Sequence, residues 1–220
     1  MDLVKNSKNQ LVNGQHKVLF LFLALCLTIS GCASMSKNEC QTAQWQSIGY
    51  EDGTKGYSAS RIGEYRKSCA EYNVVPDLAA YTEGRRLGLQ EWCRPSNGYL
   101  QGTRGAVYNG ICPKNMEAQF KLAMRQGRKV YEMRQKIKKQ QAAIARLNGE
   151  FNAIEQDISD KETELVSNGT QPGRRILLLD EIRRSEQDRE ALRNDIAMAN
   201  SALDKMNYRL KQMVAKNRYN

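Results

Sequence analysis

Apolar side chains recur every seven residues through the C-terminal part of the chain, and that pattern leaves it little choice of fold. One row is Val130, Ile137, Ile144, Phe151, Ile158 and Leu165; a second is Met133, Gln140, Leu147, Ile154 and Lys161. Seven residues are close to two helical turns, so both rows fall on one side of an α-helix and make a seam that needs a cover. The segment Ser167-Asn168-Gly169-Thr170-Gln171-Pro172-Gly173 then stops the helix, because Gly and Pro do not continue it. A second pair of rows follows, Ile182, Arg189, Ile196, Leu203 and Leu210 with Leu178, Ser185, Leu192, Ala199, Met206 and Met213. Two helices of similar length joined by a short turn fold back most simply as an antiparallel hairpin, with Leu165 near Ile176 and Ile137 near Leu203. The arm from Val130 to Leu165 is then roughly 54 Å long at 1.5 Å per residue. Gln140, Lys161, Ser185 and Arg189 interrupt the seam. That leaves a rival arrangement open, in which two chains coil together as a homodimer.

Before the arm the chemistry changes. Seven of the ten Tyr and both Trp lie between Trp45 and Tyr108, and Cys40, Cys69, Cys93 and Cys112 fall in or just beside that stretch. An even number of cysteines in an oxidising compartment reads as two disulfides with three pairings open. If the first two helices form a hairpin, Cys40 pairs with Cys69 and leaves Cys93 with Cys112. The second pair requires Gly102, Gly105 or Gly110 to break the helix that starts near Pro95, since an unbroken one holds its ends some 20 Å apart. A four-thiolate zinc site is the weaker reading, for no Cys-x-x-Cys knuckle is present.

A small unit recurs in the same region: Tyr50-Glu51-Asp52-Gly53-Thr54-Lys55, Tyr81-Thr82-Glu83-Gly84-Arg85-Arg86, Tyr99-Leu100-Gln101-Gly102-Thr103-Arg104, and more loosely Met124-Arg125-Gln126-Gly127-Arg128-Lys129. Positions three apart share a helix face, so each unit sets a large side chain beside a notch. Glycine weakens a helix by roughly 0.8–1.0 kcal/mol relative to Ala, so several in helical register imply helices that cross closely. The main expectation is a compact core of small helices near 41–57, 59–72, 77–92, 98–110 and from 114 onward, with Pro76-Asp77 capping the third. A candidate binding face for a glycan or peptide is formed by Tyr50, Tyr81, Tyr99, Trp45 and Trp92. The Asp52/Lys55, Glu83/Arg86 and Gln101/Arg104 pairs are expected as solvated surface pairs.

The N-terminus locates the chain. Residues 1–17 are polar with three lysines, and the run VLFLFLALCLTI at 18–29 is too short for a bilayer core that needs about 20 helical residues. Leu27, Ile29, Ser30 and Gly31 lead into Cys32, an order that makes a lipobox. Cys32 is expected to carry covalent lipid and to become the first residue once the signal at 1–31 is removed. Two or three acyl chains hold firmly where one holds marginally. No Asp follows Cys32, so the expected location is the periplasmic face of an outer membrane.

Trp45, the Ile48-Gly49-Tyr50-Glu51-Asp52-Gly53 stretch, Cys69-Ala70-Glu71-Tyr72, the Tyr81 to Gly84 unit and the Asn97-Gly98-Tyr99 to Cys112-Pro113 segment together resemble the proteobacterial lipoproteins known as domain of unknown function 2799, over roughly residues 37–133. The resemblance implies an exported, cysteine-containing envelope module and no catalytic residues.

The formal net charge is +10, and beyond residue 31 it is still +8, with 31 basic and 23 acidic residues. In an exported protein such a balance favours the membrane surface, lipopolysaccharide, peptidoglycan or envelope proteins as partners, and argues against nucleic acid. The single histidine, His16, is removed with the signal, which excludes histidine-based catalysis and imidazole metal ligation. Glu51, Asp52 and Glu83 are the carboxylates near aromatic rings, and a glycosidase pair among them needs a cleft that small helices rarely form. The expected fold is all-α, with a tether at 32–39, a disulfide-stapled helical domain at 40–128 and a coiled-coil hairpin at 129–217. The expected role is a non-catalytic envelope interaction module without cofactor or metal, or alternatively a periplasmic holdase or peptidoglycan-binding module.

Overall fold

The computed structural model describes residues 35–219. The signal segment, His16 and the lipobox with Cys32 lie outside the described residues. Among the described residues seven α-helices follow in order: α1 Lys37–Thr42, α2 Trp45–Thr54, α3 Ile62–Ala70 after a 3-10 turn at Ala59–Arg61, α4 Leu78–Trp92, α5 Pro95–Thr103, α6 Lys114–Val166 and α7 Pro172–Ala215. The chain divides into two compact units within α4, between Gly88 and Leu89.

In the first unit Ser36 and Glu39 form a capping box that starts α1, and the Asp77 carboxylate accepts from the Ala80 backbone N–H at the start of α4. Cys40 on α1 is bonded to Cys69 near the end of α3, and both are buried with Trp45, Ile62 and Tyr81. Helix α2 crosses α4 at the glycines. A Cβ added at Gly84 would stand 1.8 Å from the Gln46 carbonyl oxygen, one at Gly88 2.1 Å from that of Tyr50, and one at Gly49 2.1 Å from that of Tyr81. No side chain larger than hydrogen fits where the two backbones touch.

The second unit repeats that plan. Helix α5 crosses the first turns of α6, and a Cβ at Gly102 would meet the Met124 carbonyl oxygen at 2.1 Å, one at Gly127 that of Tyr99 at 2.1 Å, and one at Gly98 that of Phe120 at 2.6 Å. Gly49, Gly53 and Gly56 thus correspond to Gly98, Gly102 and Gly105, while Tyr81 and Gly88 correspond to Phe120 and Gly127. The ends of α2 and α5 agree in detail. Gly56 and Gly105 both take positive φ, at 73° and 79°; the next residues' N–H groups reach back to Asp52 and Gln101 at 3.0 and 3.1 Å. Gly105 and Gly110, both at positive φ, lie on the path from α5 to Cys112, which bonds Cys93 with Cα atoms 5.7 Å apart. Helix α5 ends at Thr103, which removes the length conflict that the spacing of these two cysteines raised.

Helices α6 and α7 pack on each other as an intramolecular antiparallel hairpin. Val130, Ile137, Ile158, Leu178 and Ile182 are buried in the seam, and the remaining heptad positions are half-covered. Leu178, expected in the seam, is fully buried, while Ile176, expected near Leu165, is 70% exposed. The polar seam residues find partners across it: Gln140 donates to the Ala199 carbonyl at 3.0 Å, and the Ser185 hydroxyl donates to Asp157 at 3.0 Å. Arg189 is the exception, since its Nε is buried without a partner among the described residues. At the tip Arg174 ties Glu164 to Glu181, and Arg175 donates to the Thr170 and Ser167 carbonyls. Position 128/129, where the arm was expected to start, lies inside one unbroken helix of 53 residues.

Candidate functional site

Asp52 does not pair with Lys55 at the surface. It faces inward from α2 and is 3% exposed, while Lys55 pairs with Glu51. Tyr65 on α3 donates to its carboxylate at 3.0 Å, Tyr81 on α4 at 2.8 Å, and the Arg61 Nε lies 3.4 Å away. Burial, reinforced by the Asp52 carboxylate, pushes the Tyr81 phenol above its ordinary pKa; burial raises Tyr65 as well. The Tyr65 hydroxyl, which accepts from Arg61, raises the guanidinium in turn. A carboxylate enclosed by two phenols and a guanidinium ties three elements together, and its oxygens are occupied. The second unit has Gln101 at the corresponding position, bonded to Asn97. Glu83 is an exposed partner of Arg86, whose hydrogen bonds hold it below the usual carboxylate range.

The expected aromatic face divides. Trp45 and Tyr81 are core residues, at 9% and 1% exposure, and Tyr50 is exposed. In the second unit Trp92 packs against the core of Cys93, Cys112 and Phe120, and the Tyr99 ring lies 5.8 Å from that of Tyr219. The glycine faces are filled by facing backbone. Among the described residues no group of three or more His, Cys, Asp or Glu is placed to hold a metal ion, and no helix is long and apolar enough to cross a membrane.

The surface with most chemical character is the hairpin itself. Over residues 121–146 and 194–219, fourteen Lys and Arg stand against three Asp and Glu; over 147–193, seven stand against eleven. The seam places these charges. On α6 the flank preceding the first seam row carries Arg125, Lys129, Lys136, Lys139 and Arg146 with Glu132 among them, then Glu150, Asp157, Asp160 and Glu164. On α7 and its C-cap the matching flank carries Glu181, Asp188 and Asp195 with Arg174 and Arg184, then Lys205, Arg209 and Lys216. Because the helices are antiparallel and both sets lie on the same flank of their seam, they share one broad side of the hairpin. The charge sign reverses halfway along that side. Near the tip Val166, Ile176, Leu177 and Leu179 are exposed at 57–74%. Sequence reading caught the net basic balance but missed this division, whose signal was the charge at the positions flanking the heptad rows.

No curated protein and no solved structure matches the chain. Residues 44–129, which contain both glycine-notched crossings and lie within the span of the residue resemblance, match the family model described as protein of unknown function (DUF2799).

Proposed function

We propose that the protein is a non-catalytic, lipid-anchored cell-envelope module, held at the periplasmic face of the outer membrane through Cys32, whose hairpin makes contacts with other envelope components. The observation that carries this reading is the arm: a helix of 53 residues paired with one of 44, covered beyond the turns that meet α5 only along one seam and exposed on its outer faces. Such an element adds contact surface rather than a cleft. Only seven residues lie between Cys32 and Cys40, so the anchor keeps the disulfide-stapled part near the lipid surface. The basic charge of the part of the arm nearest the domain fits acidic envelope partners and lipopolysaccharide. Replacing Cys32 with Ala tests the anchor: loss of labelled palmitate and of membrane retention is expected, and an unchanged membrane fraction overturns it.

A second reading, a periplasmic holdase, draws on the exposed apolar tip at Val166, Ile176, Leu177 and Leu179. It expects the full-length protein to suppress aggregation of an unfolded outer-membrane protein, with Leu177→Asp and Leu179→Asp removing the effect.

A further inference from the structure

The charged side of the hairpin is complementary to itself when turned end for end. Its domain-proximal half presents Lys129, Lys136 and Lys139 from α6, Lys205 and Arg209 from α7 and Lys216 at the α7 C-cap, all exposed, with Glu132 the one carboxylate among them. None of those six cations has a carboxylate partner among the described residues. Its distal half presents seven carboxylates against Arg174 and Arg184. Of these, Asp160, Asp188 and Asp195 have no ion-pair partner among the described residues. The reversal falls between Arg146 and Glu150 on α6, and between Asp195 and Lys205 on α7. At that waist the side chains are small or apolar: Ala143 and Ala202 are half-buried, and Met198 is 65% exposed.

We propose that this side of the hairpin packs against the same side of a second copy, the two hairpins antiparallel. A two-fold axis lying in the interface, perpendicular to the hairpin, sets α6 on α6 and α7 on α7 of the second copy. Each basic half then faces an acidic half, and each Met198 lies close to the axis beside Ala143 and Ala202. The interface is isologous, so every complementary contact occurs twice. Charge complementarity fixes orientation, because the parallel alternative stacks like charges. The apolar waist supplies the dry contact. An anionic lipid surface matches only half of this side: it attracts the basic half and repels the acidic one. A second copy satisfies both.

The test is thiol crosslinking of the full-length protein with a short bis-maleimide. Met198→Cys is expected to give a covalent dimer, and Asn207→Cys, on the opposite flank of the seam, is expected to give none. Adding Lys129→Glu, Lys136→Glu and Lys139→Glu to Met198→Cys is expected to lower the dimer about tenfold. Adding Asp160→Lys, Asp188→Lys and Asp195→Lys instead is expected to do the same, with helical circular dichroism unchanged in both. Co-expressed with different tags, the two charge-reversed chains are expected to crosslink to each other and not to themselves. No dimer from Met198→Cys, a dimer indifferent to charge reversal, or failure of the mixed pair overturns the proposal. So does binding to anionic phospholipid vesicles without self-crosslinking.

Discussion

Gly84 and Gly149 both sit inside helices, and their surroundings give them opposite roles. At Gly84 the α2 backbone occupies the place a side chain would take, 1.8 Å from an added Cβ, so Ala must push two helices apart. Gly84→Ala is expected to destabilise the first unit by about 1–3 kcal/mol or more. At Gly149 nothing lies within 4 Å, so only helix propensity changes. Gly149→Ala is expected to stabilise by about 1 kcal/mol. Urea denaturation of the two variants checks the pair; equal effects would mean that the glycine crossing is not what holds α2 to α4. The need for close crossings was legible in the sequence, since four glycines recurred three residues after a large side chain. Which glycine faces which backbone was not, because that depends on the partner helix.

At the scale of elements, Tyr50 and Tyr99 begin equivalent units, both ending Gly-Thr-basic-Gly, and α2 and α5 superpose in role. Tyr81 looked like a third copy and is instead the facing partner, matching Phe120. One-dimensional spacing could not separate the two classes, because both helices of a notched crossing need the same small residue every three to four positions. The heptad rows, by contrast, were legible almost residue by residue, for a seam is written within each helix. Asp52 was misplaced at the surface because its partners come from α3 and α4, remote in sequence. That cluster has a pH signature. Tyr81 is held neutral in the folded unit above its ordinary pKa of 10.0. The unfolded chain loses that proton first, so the contribution is complete below pH 10 and is lost as the pH rises beyond it. Alkaline unfolding followed by circular dichroism is expected to be less steep in Tyr81→Phe than in the parent. Identical profiles would show that the phenol's protonation does not couple to the fold.

For the molecule as a whole, the proposed anchor at Cys32, outside the described residues, precedes an arm whose seam is covered and whose outer surface is not. On the function proposed above, a chain built this way acts by where its arm reaches and what the arm touches. The described residues hold a buried carboxylate locked by two tyrosines and two glycine crossings, all spent on holding the small helices together. The arm spends its side chains differently, with charge sorted along one side and apolar residues at the tip. The most direct test places a photocrosslinking amino acid at exposed positions between residues 140 and 200 of the full-length protein in living cells, with Cys32 intact or replaced by Ala. Position-specific adducts to envelope proteins or lipopolysaccharide that disappear with Cys32→Ala are the expected result. No adduct from any position, or the same adducts without Cys32, would contradict the account.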